Sequence, residues 1–292
     1  MKLRHFFRNV AVACFYFFVY QVGQFATVYL YLIVLMIRNI VSAADASETI
    51  PNMQELLTQC SEQLNQQTLT VSLVAGIVSL FLLWITFAAR KQSLIKGACI
   101  QKISGSSAAF SLMLGCSSYI VLSYAIALIP FPDAWFESYL EQSSVLSGGN
   151  LWIQILATVV MAPILEEIVF RGLIYTRLRN CMPKLLAAVL TSALFGVMHG
   201  TIVWFFYTFI LALLMTFIFE KTESLLGNML LHAAFNACGT AISLLPKTTQ
   251  DAIDSMPFFV HIGILAIGAA ATLFGILHFL TDRQEDMEAL MN

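Results

Sequence analysis

Residues 151–172 read LWIQILATVVMAPILEEIVFRG. The stretch is long and apolar enough for a membrane-spanning helix, which needs roughly 20 residues. Yet it contains two adjacent glutamates, Glu166 and Glu167, followed by Arg171. Ionisable side chains inside a membrane are rare and costly, and they usually face a protein interior or a water-filled cavity. The stretch therefore predicts a membrane-spanning helix that carries part of a buried polar site.

The composition of the whole chain is that of a membrane protein. Of its 292 residues, 59% are hydrophobic and 11% are charged, whereas soluble domains carry about 25% charged residues. We therefore predict an all-α polytopic membrane protein. The net charge of −2 gives no indication of nucleic-acid binding. Six scattered cysteines without CxxC or CxxH spacing argue against a disulfide framework and against a cysteine-based metal site.

Long apolar runs predict about eight transmembrane helices. They lie at about 10–37, 69–89, 107–129, 151–170, 185–199, 201–219, 225–245 and 257–280. The first run follows a basic N-terminal segment but is far longer than the 7–15 residues of a signal-peptide core, so we expect a retained anchor.

The positive charges predict the orientation of these spans. If the N-terminus is cytoplasmic and the spans alternate, all fifteen Lys and Arg residues except Arg38 and Lys247 lie on the cytoplasmic side. The positive-inside rule then places both termini in the cytoplasm. Two acidic polar loops, 39–68 and 130–150, lie outside. The two glutamates are expected near the cytoplasmic end of the fourth span.

The adjacent glutamates have different predicted partners. Glu167 and Arg171 are four residues apart and share a helix face, so they can form an ion pair. Glu166 is rotated by about 100° from its neighbour and is left to point into a cavity. We predict a structural role for Glu167 and a functional one for Glu166. The alternative is a Glu–Arg pair that only ties helices together.

Two further polar clusters lie on the following spans. Phe195 and His199 occur in LFGVMHG, and His232 and Asn236 occur in LHAAFNACG. The members of each pair are four residues apart and share a face. Singly, such a His or Asn often serves as an interhelical hydrogen-bonding residue. A carboxylate, two imidazoles and an amide on the fourth to seventh spans together indicate a site.

The stretches EEIVFRG, FGVMH and HAAFN match the pattern EExxxR, FxxxH, HxxxN in order and spacing. The chain thereby resembles the CPBP (Abi) family of intramembrane proteases, which includes the type II CAAX prenyl endopeptidases and bacterial relatives linked to bacteriocin processing and self-immunity. The resemblance implies an eight-helix membrane endopeptidase with a catalytic cavity open to the cytoplasm. It divides the chain into an N-terminal transmembrane region of about three helices and two outer loops (1–150), a catalytic core (151–245), and a last transmembrane helix with a cytoplasmic tail (246–292).

The resemblance also implies roles for single residues. The implied catalytic residues are Glu166, His199, His232 and Asn236, and the implied supporting residues are Glu167, Arg171 and Phe195. The first glutamate and the first histidine activate a water molecule, and the second histidine and the asparagine stabilise the oxyanion. These are the parts that amide hydrolysis needs: a base for water and preorganised donors for the developing negative charge.

Two alternatives stay open. Glu166, His199 and His232 are an acceptable zinc ligand set that leaves a position for water, although the HExxH arrangement is absent. We expect no cofactor, with zinc as the alternative. The second alternative is a non-proteolytic membrane protein that serves in immunity or as a scaffold.

The expected partners are the lipid bilayer and a peptide or lipidated-protein substrate, processed at a CAAX-type or a leader-type site. The expected location is integral to the membrane, with a prokaryotic plasma membrane favoured. Oligomeric state, the role of loop 39–68 and the identity of the substrate stay open.

Overall fold

The computed structural model describes residues 2–46, 51–146 and 149–291, without the side chains of residues 2 and 282–291. Residues 47–50 and 147–148 of the two predicted outer loops therefore lie outside the described residues. All regular elements in the described ranges are helices, and no strand is formed there. The helices are α1 Lys2–Asp45, α2 Met53–Gln66, α3 Thr68–Ala88, α4 Leu94–Gly97, α5 Gly105–Leu128, α6 Asp133–Leu146, α7 Leu151–Leu178, α8 Lys184–Val197, α9 Ile202–Thr222, α10 Leu225–Ser243, α11 Lys247–Asp254 and α12 Phe258–Met291.

Within the described ranges, seven helices are long and apolar enough to cross a membrane: α1, α3, α5, α7, α9, α10 and α12. The protein is therefore an all-α integral membrane protein. The predicted fifth span at 185–199 is the 14-residue apolar helix α8. Such a helix rises about 21 Å, which is less than the hydrocarbon core of roughly 30 Å. The predicted set of about eight transmembrane helices thus consists of seven long helices and one short one.

The two predicted outer loops are largely helical. Helix α2 begins at a capping box, in which the Glu55 backbone N–H donates to Asn52 Oδ1 and the Asn52 N–H donates to Glu55 Oε2, each at 3.0 Å. It packs against the second half of α1 through Leu35, Leu56 and Cys60. Helix α1 extends to Asp45, well past the predicted end of the first span. The second polar loop contains α6, between α5 and α7.

Helix α7 widens into π-helical backbone over Ile155–Met161 and Glu167–Tyr175. In the first π segment the Ala162 N–H bonds the Ala157 carbonyl, five residues back. In that register Pro163 would bond the carbonyl of Thr158, but proline has no N–H. The Thr158 carbonyl instead accepts a hydrogen bond of 2.7 Å from Asn236 Nδ2. Proline and the wide turn thus create a point where α10 attaches to α7.

Contacts between helix termini define the two ends of the bundle. Glu220 near the end of α9 binds both Arg179 after α7 and Lys184 at the start of α8. We call this the Arg179 end. At the opposite end, Gln154 near the start of α7 donates to Ser243 at the end of α10. We call this the α6 end, because α6 connects to α7 there.

Close packing of α5 on α10 holds the core together. Gly115 on α5 lies against the α10 backbone, where an added Cβ would overlap the carbonyl oxygen of Leu231. A glycine is needed here because two helix backbones approach more closely than any side chain allows. This contact fixes α10, which carries two of the predicted site residues.

Candidate active site

Glu167 is the hydrogen-bonding centre of the site. Its side chain is 0% exposed, and Oε1 accepts from Arg171 Nη1 at 2.8 Å. The predicted ion pair is therefore present. Oε1 also accepts from His232 Nδ1 at 3.1 Å, and Oε2 accepts from Asn228 Nδ2 at 3.1 Å. A buried carboxylate with three donors has its charge compensated, so Glu167 acts as the fixed acceptor around which α7 and α10 meet.

Arg171 is buried as completely as its partner. Its Nη2 donates to the carbonyl of Ala212 on α9 at 3.2 Å, and its guanidinium carbon lies 4.6 Å from the ring centroid of Phe195 on α8. A buried arginine is tolerated only with such partners. Arg171 therefore joins α7 to both helices of the α8–α9 pair.

Glu166 has a different environment from its neighbour. Its side chain is 20% exposed, and its Oε2 lies 3.8 Å from His232 Nε2. Glu166 is residue 16 of the 28 residues of α7, so it lies near the middle of the helix. The sequence predicted a shorter span, 151–170, with Glu166 near its end, whereas the helix continues to Leu178. Of the two glutamates, only Glu166 has a partly exposed side chain.

The contacts of His232 fix which ring nitrogen faces Glu166. An ionised carboxylate only accepts hydrogen bonds, so the 3.1 Å contact to Glu167 assigns a proton to His232 Nδ1. The other nitrogen, Nε2, is directed at Glu166. The ring is thereby oriented from behind by one glutamate and presented to the other.

His199 lies in the turn after α8, which ends at Val197. It is therefore not on a continuous helix face with Phe195, but the two rings still meet, with centroids 4.6 Å apart. Its Nδ1 donates to the Phe195 carbonyl at 2.8 Å, because a carbonyl only accepts.

Phe195 lies between the other members of the site. Its ring centroid is 6.0 Å from that of His232, and it also contacts His199 and Arg171. Asn236 lies one turn beyond His232 on α10 and uses one amide N–H for the Thr158 carbonyl. The structure thus brings Glu166, His199 and His232 together around Phe195, with Asn236 beside them.

Asn228 is a member of this cluster that was not predicted from the sequence. Its Nδ2 donates to Glu167 and also to the Met215 carbonyl at 2.8 Å, and the residue is fully buried. A signal was present, because Asn228, His232 and Asn236 recur every four residues and form one polar stripe on α10. Asn228 stands outside the three matched motifs, which is why it was overlooked.

The zinc alternative requires three ligand side chains that converge on one point. Among the residues that the structure describes, no three His, Cys, Asp or Glu side chains are placed to hold a metal ion. The set Glu166, His199 and His232 is therefore not assembled as a ligand set here. Zinc dependence stays a prediction for experiment.

The segment that contains this site matches a known protein family. Residues 148–238 match the family described as type II CAAX prenyl endopeptidase Rce1-like. The segment belongs to the CAAX protease (CPBP) family. This CAAX protease segment includes every predicted site residue, from Glu166 to Asn236, and the family is one of peptidases.

Two proteins of Lactococcus lactis subsp. lactis (strain IL1403) are similar to part of the chain. UPF0177 protein YbdI is 27% identical over 112 residues, which are 38% of this chain and 60% of that protein. UPF0177 protein YxdF is 28% identical over 88 residues, or 30% of this chain and 48% of that protein. The chain thus spans only about half to three fifths of these relatives. No solved structure matches the chain at a comparable level.

Proposed function

We propose that the protein is an intramembrane endopeptidase that hydrolyses a peptide bond of a membrane-associated peptide or protein. One observation carries the proposal. Glu166 is partly exposed and lies 3.8 Å from His232 Nε2, while Glu167 holds the opposite side of that ring. A free carboxylate beside an oriented imidazole, in a segment of a peptidase family, is suited to activating water.

In this mechanism Glu166 takes a proton from a water molecule as its oxygen attacks the substrate carbonyl. His199 helps to orient that water, because its Nδ1–H is held by the Phe195 carbonyl and Nε2 is left to accept. The attack forms a C–O bond and moves the carbonyl electron pair onto oxygen. Glu166 then passes the proton to the leaving amine as the C–N bond breaks.

The oxyanion receives hydrogen bonds from His232 Nε2 and from the second amide N–H of Asn236. His232 already donates Nδ1–H to Glu167, so Nε2 donates only when the ring is an imidazolium. Each preorganised donor of this kind contributes about 10²–10³ in kcat in known hydrolases.

The proposed substrate is a peptide that reaches the bilayer, either lipidated near its C-terminus or carrying a leader sequence. The family match supports peptide-bond cleavage at a CAAX-type site, and the candidate site residues lie among apolar helices long enough to cross a membrane. A quenched fluorescent peptide library that contains lipidated members and leader-type members separates the two substrate classes.

The test compares wild type with Glu166→Gln, which keeps the size of the side chain and removes the base. We expect cleavage to fall by at least about 100-fold in purified, detergent-solubilised protein. Glu62→Gln on the exposed surface of α2 is the matched control and should cleave at the wild-type rate. A metal chelator is added in a parallel arm, and loss of cleavage there would restore the zinc mechanism.

Cleavage by Glu166→Gln at the wild-type rate would exclude this mechanism. A folded wild-type protein that cleaves no member of the library would instead favour the non-proteolytic alternative, in which the buried ion pair serves only to hold helices together.

A further inference from the structure

The backbone directly after His199 needs a glycine. Gly200 has φ +84°, which lies in the left-handed region that side chains other than that of glycine rarely adopt. The Gly200 N–H donates to the Val197 carbonyl at 3.3 Å, and α9 begins two residues later at Ile202. The turn that carries His199 therefore has a bare backbone surface immediately beside the histidine.

Gln142 of α6 lies on that bare surface. A Cβ added at Gly200 would stand 3.2 Å from Gln142 Nε2 and 3.5 Å from Gln142 Oε1. The carboxamide thus occupies the place that a side chain at position 200 would need. It is a polar group from a different helix, held against the residue next to His199.

A second contact fixes the same face of α6. Tyr139 lies three residues before Gln142 and therefore on the same side of the helix. Its ring centroid is 6.2 Å from that of Trp204 at the start of α9, and the Trp204 ring is 6.3 Å from that of His199. This face of α6 thus rests on the His199 turn through an aromatic ring and through a carboxamide.

The Gln142 carboxamide has an unused acceptor. Its Oε1 is buried and accepts no hydrogen bond from any residue that the structure describes. Buried polar atoms in native proteins are nearly always bonded, and each exception calls for a specific explanation. The surroundings, with the rings of Tyr139 and Trp204, favour a neutral donor over a charged one.

A peptide backbone supplies a donor of this kind. Each residue of a peptide other than proline carries one N–H, and inside a membrane each of these groups needs a partner. A peptide whose scissile bond lies between Glu166 and His199 passes beside the His199 turn, within reach of the Gln142 acceptor.

We propose that Gln142 is a substrate-binding residue whose Oε1 accepts a backbone N–H of the peptide next to the scissile bond. The inference rests on the proposed function and adds to it a residue that precedes the matched segment 148–238. The hydrogen bond is made by the bound substrate and kept in the transition state, so its loss should raise KM and leave kcat nearly unchanged.

The first test replaces the acceptor without changing the length of the side chain. We expect Gln142→Met to raise KM about three- to tenfold, the range for one neutral hydrogen bond, with kcat close to that of wild type. Its melting temperature should not fall, because the free protein loses no hydrogen bond to Oε1. Gln63→Met is the matched control, since Gln63 on α2 also has a buried Oε1 without a donor and should keep its KM.

The second test removes the donor from the substrate. In peptides that wild type cleaves, single backbone N–H groups near the scissile bond are replaced one at a time by an ester oxygen. We expect one such replacement to raise KM about three- to tenfold in wild type and to have no further effect in Gln142→Met. Equal increases in both proteins at every position would refute the proposed hydrogen bond.

Binding is measured separately from cleavage. Fluorescent lipidated and leader-type peptides are titrated with Glu166→Gln protein, and Kd is measured by anisotropy with and without Gln142→Met. We expect Gln142→Met to raise Kd about three- to tenfold. That rise without cleavage by wild type would count against the endopeptidase proposal alone. Cleavage by wild type with KM and Kd unchanged in Gln142→Met, or a lower melting temperature as its only effect, would overturn the role of Gln142.

Discussion

Removal of Arg171 tests whether the buried Glu167 pair is the structural centre of the bundle. Arg171→Met leaves a carboxylate with 0% exposure facing only Asn228 and His232. Breaking a buried ion pair by removing one partner costs about 3–5 kcal/mol, because an uncompensated charge stays behind. We expect that loss in the free energy of unfolding, measured by denaturant titration of detergent-solubilised protein.

A double-mutant cycle separates the pair from general damage to packing. Glu167→Gln alone should also destabilise, because the Arg171 guanidinium then lacks its carboxylate. The double variant Glu167→Gln/Arg171→Met buries no charge, so its loss should be smaller than the sum of the single losses by about 1–3 kcal/mol.

An exposed ion pair is the matched control for this cycle. Lys184 binds Glu220 at 2.6 Å but is 68% exposed, so Lys184→Met should cost less than about 1 kcal/mol. If Arg171→Met is as mild as this control, or if the single losses in the cycle simply add, the buried pair is not what holds the helices together.

Three further outcomes are expected. Asn228→Leu removes a donor from Glu167 Oε2 and should lower the free energy of unfolding by about 1–3 kcal/mol. It should also reduce kcat more than it changes KM. Asn228→Gln should restore part of the stability and part of kcat. Asn236→Ala should lower kcat by about 10²–10³ with KM nearly constant, and an equal effect on KM would argue for substrate binding instead. Gly115→Val should abolish folded yield in size-exclusion chromatography because its Cβ meets the α10 backbone, whereas Gly263→Ala points into open space and should match wild type.

Composition and four-residue spacing predicted the features that neighbouring residues of the chain determine, namely the long apolar helices and the ion pair within one helix. Long apolar runs identified the seven long helices, because about 20 apolar residues have few other stable arrangements than a membrane span. The interval between Glu167 and Arg171 predicted their ion pair, because that geometry belongs to one helix. The catalytic roles of Glu166, His199, His232 and Asn236 stay predictions that the variants above test.

Other features depend on contacts between distant segments. Hydropathy does not mark the border between α8 and α9 sharply, because it registers residue type and the turn at His199 lies within an equally apolar sequence. The hydrogen bond to the Thr158 carbonyl depends on Pro163 together with Asn236, which are 73 positions apart. The role of Asn228 depends on the packing of α10 against Glu167 of α7, and the spacing within α10 does not show that contact.

The shortness of α8 has a consequence for the lipid around the protein. Lys184 anchors the helix at the Arg179 end, so a rise of about 21 Å leaves the His199 turn about 9 Å short of the far boundary of a hydrocarbon core of roughly 30 Å. A bilayer adapts to a short hydrophobic helix by thinning beside it. The proposed hydrolysis would consume one water molecule per turnover, and the hydrocarbon phase holds almost no water. A local depression of the headgroup layer next to α8 would bring water molecules closer to His199. The lipids around α8 would then help to supply the water that the reaction needs.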